Sequence, residues 1–355
     1  MIPIVDGHND ALLRVWRRGG SLRERSDDGH LDVPRMREGG IAAGFFAMFV
    51  PALDEEPADP RSVLVPDQVA TFRAATPWTP ATWSYGYEAP MEGRLPFARA
   101  TRIADELATI AERDLDLVRT TADLERCLAG ESVGAILHLE GAEPIDEDLA
   151  NLEAWVERGL RSLGIAWSRP NAFGHGVPFR YPGTPDAGPG LTAAGRELVT
   201  VCNELGVLLD LAHLNEAGFF DVARLSSAPL VVSHGGVHAL CPIPRSLTNA
   251  QLDAIGASGG LVGVVFDTVM TRPDGDLVAD TPLSVIAAHV EYVAERIGVE
   301  HVALGSDFDG CFPPAALSDA SKTQALLDTL HWTDDELRAL AHGNWLRVLR
   351  ASWRE

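Results

Sequence analysis

Val207-Leu208-Leu209-Asp210-Leu211, the segment from Glu216 to Leu225, and Leu230-Val231-Val232-Ser233 together decide the fold. Two apolar runs of strand length flank a stretch of helical period, and parallel strands need a crossover of that kind between them. The same unit recurs outward in both directions. Runs at Pro3 to Val5, Ile41 to Phe49, Val133 to Leu139, Leu160 to Ala166, Leu261 to Phe266 and His301 to Gly305 bring the predicted strands to eight. Helical segments lie between them, at Arg99 to Arg113, Asp146 to Arg158, Thr192 to Leu205, Thr248 to Ala257, Pro282 to Ile297 and Thr333 to Arg350. The alternation predicts an α/β fold, a (β/α)8 TIM-type barrel that takes up residues 1–355 as one domain.

Several helix ends carry their own signals. Thr192 stands where an N-cap belongs and Gly206 where a glycine ends a helix. Thr333 and Glu336 form a capping-box pair. Two regions break the alternation. Residues 51–98, rich in proline and carrying Trp78, Trp83, Tyr85 and Tyr87, are an insertion after strand two, expected to form a lid or an interface with another subunit. Residues 168–190, rich in Gly and Pro, are a second long loop, expected beside the active site.

Composition narrows the function. With 51 Asp plus Glu against 29 Lys plus Arg, the net charge is −22, which disfavours a broad basic surface, so neither nucleic acid nor an anionic membrane is expected as a partner. Lys322 is the single lysine, which leaves almost no candidate for a Schiff base, a P-loop or a carboxylated-lysine metal bridge. Cys127, Cys202, Cys241 and Cys311 show no CxxC spacing and read as ordinary thiols. No 18-residue apolar run is present and charge appears within the first ten residues, so a cytoplasmic location is expected.

In a barrel of this type the reacting groups stand at the C-terminal ends of the strands. Strand one ends in Asp6-Gly7-His8-Asn9-Asp10, strand three in His138-Leu139-Glu140-Gly141 and strand five in Asp210-Leu211-Ala212-His213. Strand six ends in Ser233-His234-Gly235-Gly236 and strand eight in Ser306-Asp307-Phe308-Asp309-Gly310. His8, Asp10, Glu140, His213 and His234 are five candidate ligands, too many for one zinc that keeps a position open for water, and enough for two. With no lysine available, a bridging ligand must be an ordinary acid, and Glu140 is the central candidate. Two divalent ions close together would hold a hydroxide between them and polarise a carbonyl, which is hydrolytic chemistry. Asp210 is expected to pair locally, and His138 to pack against a helix.

These motifs, in this order and over nearly the whole chain, resemble the renal (membrane) dipeptidase family of the amidohydrolase superfamily. The resemblance implies two zinc ions, one held by His8 and Asp10, the other by His213 and His234, with Glu140 bridging. It also implies hydrolysis of dipeptides, often with tolerance for a D-residue at the C-terminal position. Asp307 matches the family's strand-eight acid and suits a proton shuttle. Arg245 matches the arginine that grips the substrate's free carboxylate, a task that suits a guanidinium fork.

Two positions depart from the family pattern. Trp167 stands where the mammalian members carry a histidine thought to hold the substrate carbonyl, and indole donates one hydrogen bond without changing charge. His175, eight residues on, is the candidate substitute. The family's tyrosine after strand seven is not evident in Phe266-Asp267-Thr268-Val269-Met270. Altered side-chain selectivity is expected from both. The expected partner is a small dipeptide, with a homodimer left open. Other amidohydrolase chemistry, on a lactone or an N-acyl amino acid, and a metal-binding scaffold without turnover remain the alternatives.

Overall fold

The computed structural model describes residues 1–51 and 97–354, together with the backbone of Trp83 and Ser84. Eight parallel strands run in chain order around a near-closed barrel: β1 (Ile4–Asn9), β2 (Ile41–Phe49), β3 (Gly134–Glu140), β4 (Leu160–Gly164), β5 (Leu208–Asp210), β6 (Val231–Val237), β7 (Leu261–Val264) and β8 (Val302–Leu304). All eight coincide with the predicted runs, and the barrel expectation holds. The ends differ. β1 runs four residues beyond Val5 because Asp6 and Asn9 pair with Gly44 and Phe46 of β2.

The seam between β8 and β1 is held by the strand-end residues themselves. Asn9 and Phe308 form a parallel bridge, the Asp10 N–H donates to the Phe308 carbonyl at 2.8 Å, and the Asp307 N–H donates to the His8 carbonyl at 2.9 Å. Asp6 accepts the Ser306 N–H at 2.7 Å and its hydroxyl at 2.8 Å. The first and last strands therefore deliver His8, Asp10 and Asp307 to one place.

Thr192 caps the helix Ala193–Leu205 by accepting the Gly195 N–H, and Gly206 closes it at φ 70°. The Thr333–Glu336 capping box is formed. The expected helix from Asp146 is shorter, Leu152–Arg158, because residues 141–151 turn, with Leu149 left-handed at φ 62°. The stretch after Thr333 is interrupted by a π-helical turn at Ala339–Gly343. Helices Ala11–Arg18, Val33–Gly39 and Thr121–Leu128 were not among the predicted segments; each is only two turns long, too short for periodicity to stand out. Residues 51–98, expected as lid or interface, lie mostly outside the described residues. Inside them, Trp83–Ser84 pairs antiparallel with Arg180–Tyr181 of the 168–190 loop, and the helix Phe97–Asp114 begins. No helix among the described residues is long and apolar enough to cross a membrane.

Candidate active site

His8, Asp10, Glu140, His213, His234, Arg245 and Asp307 are each less than a tenth exposed, although charged and polar side chains of this kind belong at a surface unless something inside pairs with them. One pocket at the C-terminal ends of the strands is lined by Asp10, Glu140, His213, His234, Arg245 and Asp307, with Trp167, Phe179, Val269, Met270 and Phe312 as its apolar wall. His8 lies just beneath, its Nε2 3.7 Å from Glu140, 3.8 Å from Asp10 and 4.0 Å from Asp307.

Glu140 stands between two groups of donors. Its Oε1 is 2.9 Å from His213 Nε2 and 3.9 Å from His234 Nε2, while its Oε2 faces His8. Donor atoms of Glu140, His213 and His234 lie within 4.8 Å of one another, and so do those of His8, Asp10 and Asp307. A third grouping, of His8, Asp210 and His234, meets the same distance, but the oxygens of Asp210 are occupied. Oδ1 accepts the N–H groups of Ala212 and Ser233, and Oδ2 accepts the Ser233 hydroxyl. Asp210 thus pairs locally, as expected.

Whether these residues suit a cation can be read from their electrostatics. Burial alone would lower the His8 imidazole, yet Glu140, Asp10 and Asp307 around it push it up to about 10. Burial pushes Glu140 up to about 8, and raises Asp307 well above the usual carboxylate range. Burial, with the positive charges of His8 and Arg245, holds His234 well below its ordinary value. Three acids and three imidazoles cannot all keep their ordinary charge in so dry a space. Nor are their hydrogen bonds complete. Both ring nitrogens of His8 and Oδ1 of Asp10 have no partner among the described residues, and His213 Nε2 and His234 Nε2 face each other at 3.1 Å. Convergent imidazole nitrogens and carboxylate oxygens with open lone pairs fit a divalent cation.

Arg245 is buried under the same pocket. Its Nη2 donates to the His234 carbonyl at 3.2 Å, and its Nε has no partner among the described residues. Trp167 joins an aromatic wall, with ring centroids 4.9 Å from Phe49, 5.6 Å from Phe179 and 5.7 Å from His213. Behind it, the Arg169 guanidinium lies 5.4 Å from the Trp167 ring and pairs with Glu143 at 2.6 Å. His175 is not among the residues that line this pocket; its carbonyl accepts the Asn215 N–H at 3.0 Å. The residue that the 168–190 loop does send to the pocket is Phe179.

His138 corrects the sequence reading. Two residues from Glu140, it faces the same interior, as the period of a strand requires, and packs edge-on to His8 at 5.4 Å rather than against a helix. Burial lowers it to about 4, so it stays neutral. Ser168, whose hydroxyl is 2.8 Å from His213 Nδ1, and Ser233, 2.9 Å from His234 Nδ1, were also missed. Serine is too common at strand ends to signal such a role alone.

A parallel (β/α)8 barrel with imidazoles and carboxylates gathered at its C-terminal strand ends defines a hydrolase of the amidohydrolase type. More narrowly, the chain belongs to the membrane dipeptidase family, peptidase family M19, whose model matches residues 1–353. That family membership makes it a metallopeptidase of the dipeptidase class, requiring a divalent metal. A solved metallo peptidase of family M19, dipeptidase AC, is 41% identical and superposes with a TM-score of 0.89 over 99% of both chains. A metallo peptidase from Rhodobacter sphaeroides, solved with a phosphinate mimic of the dipeptide L-Ala-D-Ala, is also 41% identical, with a TM-score of 0.87 over 99% of both chains. An uncharacterised Klebsiella pneumoniae protein from the pqqA 5′ region is 43% identical over 68% of this chain and 90% of its own.

Proposed function

We propose that the chain hydrolyses the peptide bond of dipeptides, L,D-dipeptides among them, with two zinc ions. His8 and Asp10 would hold one ion, His213 and His234 the other, and Glu140 would bridge with its two oxygens. The observation that carries the reading is that Asp10, Glu140, His213, His234, Asp307 and a buried arginine with a spare donor line one pocket, with His8 directly beneath it. When bound, the metals supply an activated water and polarise the scissile carbonyl. The chain's own residues do the rest. Arg245 holds the C-terminal carboxylate and so sets the distance from the end of the substrate to the bond that breaks. Asp307 takes the proton from the attacking water and gives it to the departing amine. Trp167 and Phe179 exclude water and shape the side-chain site, while the indole supplies no charge to the carbonyl. The L-Ala-D-Ala mimic bound to the R. sphaeroides relative supports counting L,D-dipeptides among the substrates.

The test is a screen of L,L- and L,D-dipeptides, their C-terminal amides and a set of lactones with zinc-reconstituted protein. Turnover is expected on free dipeptides, with KM rising about 10- to 100-fold on amidation, as a charge-assisted hydrogen bond is worth roughly 1.5–3 kcal/mol. Faster turnover of a lactone than of every dipeptide would replace this reading. A KM indifferent to amidation would remove Arg245 from it.

A further inference from the structure

We propose that Asp210 is a positioning residue that dictates which nitrogen of His234 faces the metal site, acting through the Ser233 hydroxyl. The inference rests on the proposed metal-binding role of His234. A neutral imidazole carries one proton, on Nδ1 or on Nε2, and ligates only through the nitrogen without it. In His234 the nitrogen that points at Glu140 and His213 is Nε2, so the proton has to sit on Nδ1.

The hydrogen bonds behind the ring settle where it goes. Ser233 Oγ lies 2.5 Å from Asp210 Oδ2 and 2.9 Å from His234 Nδ1. A carboxylate only accepts, so the single hydroxyl proton of Ser233 is donated to Asp210. The Ser233 oxygen then has only lone pairs to offer the ring, and His234 Nδ1 must be the donor. Nε2 is left bare and aimed into the site. Asp210 itself is fixed by the backbone N–H groups of Ala212 at 3.1 Å and Ser233 at 2.8 Å, and is 1% exposed, so water does not scramble the chain of donors. His138 Nε2, 3.5 Å from Oδ2, is too far to compete. The hydroxyl that backs His213, Ser168, has no such carboxylate hydrogen-bonded to it among the described residues. The arrangement at His234 is the directed one.

Replacing Asp210 by Asn should reverse the chain of donors. The amide can keep its carbonyl on the backbone N–H groups and present NH2 to Ser233, which then donates its proton to Nδ1 and leaves the proton of His234 on Nε2. We expect the D210N protein, compared with wild type by 15N NMR of histidine-labelled, metal-free samples, to shift the His234 Nε2 signal from the unprotonated to the protonated form. Zn2+ affinity, measured by competition with a chromophoric chelator, should fall about 10- to 100-fold. Ser233→Ala should give a mixture of tautomers and a smaller loss, and Ser233→Thr should restore both readings; these two variants carry the test if D210N does not fold. An unchanged His234 tautomer in folded D210N and S233A would overturn the proposal. Because the tautomer is read without metal, a wild-type protein that bound no zinc would instead defeat the metal assignment.

Discussion

Asp307 is held in place by its backbone, with φ at 60°, in the left-handed region that a β-branched or bulky residue avoids and Asp or Asn enters at little cost. Its N–H is tied to the His8 carbonyl and its own carbonyl accepts from Gly310. Asp307→Asn keeps both the conformation and the shape, so it isolates the proton transfer. Turnover should fall about 10²- to 10⁴-fold while the zinc content of the purified protein is unchanged; unimpaired turnover would remove Asp307 from the mechanism. His289 titrates away from the site. It is buried, its Nδ1 accepts the Val237 N–H and its Nε2 donates to the Thr271 carbonyl, both at 2.9 Å. Burial lowers it to about 4. Its folded value is below that of the unfolded chain, near 6.5, so the unfolded state takes up the proton first as pH falls. The stability this group contributes is complete above about pH 6.5 and is lost between there and about pH 4, on the order of 3 kcal/mol in all. His289→Gln can make the same two hydrogen bonds without titrating. Its urea-unfolding free energy should vary less between pH 4 and 6.5 than that of wild type; equal slopes would exclude the effect. Nothing in the residues around His289 marked it in the sequence, where it reads as one more position of a long helix.

At the scale of the element, β1 shows why strand ends were the hardest part to place. Asp, Gly and Asn are all poor strand formers, so Asp6-Gly7-His8-Asn9 reads locally as a loop. Long-range bonds override that preference: β2 supplies register on one side, and Ser306 supplies two bonds to Asp6 on the other. Gly7 is required by close approach. A Cβ there would lie 2.4 Å from the Ser233 carbonyl oxygen of β6 and 2.9 Å from the Leu304 carbonyl oxygen of β8, both backbone atoms that cannot swing aside. Gly7→Ala is expected to cost about 1–3 kcal/mol or more, seen as a lower thermal midpoint, and to weaken zinc binding because His8 is the next residue. An unchanged midpoint would mean that the strands part without cost. The loop after β8 is braced in a comparable way. Asp309, left-handed at φ 66°, accepts from Arg14 Nε at 3.1 Å and the His30 N–H at 2.5 Å, and its own N–H donates to His30 Nδ1 at 3.0 Å. Asp309 therefore braces the loop that presents Asp307, held by Arg14 of the helix after β1 and by His30 of the turn that follows it.

For the whole molecule, the net charge of −22 has two unequal parts. Among the described residues most of the acids lie on the surface, several in exposed pairs with arginine such as Arg25–Glu38 and Arg296–Asp253, which are individually worth little. A few are concentrated in the dry pocket, where their repulsion opposes folding unless a cation is present. Chelation should therefore lower the thermal midpoint, and added zinc should restore it. The coupling is about 4 kcal/mol when free metal exceeds its dissociation constant a thousandfold, and a midpoint indifferent to chelator would contradict it. The eight strands, several helix caps and the identity of the acids and imidazoles at the strand ends were all written in the amino-acid sequence, because period, capping and composition act within a few residues. The near absence of lysine likewise pointed to Glu140 as the bridging candidate before any geometry was known. Only the tertiary structure decided that Glu140 turns its two oxygens toward different donors, that His138 lies inside, that Phe179 rather than His175 reaches the pocket, and that Asp210 stands behind His234. Those relations join residues from strands far apart in the chain, and their distances follow from barrel register and closure, which no local stretch of sequence contains.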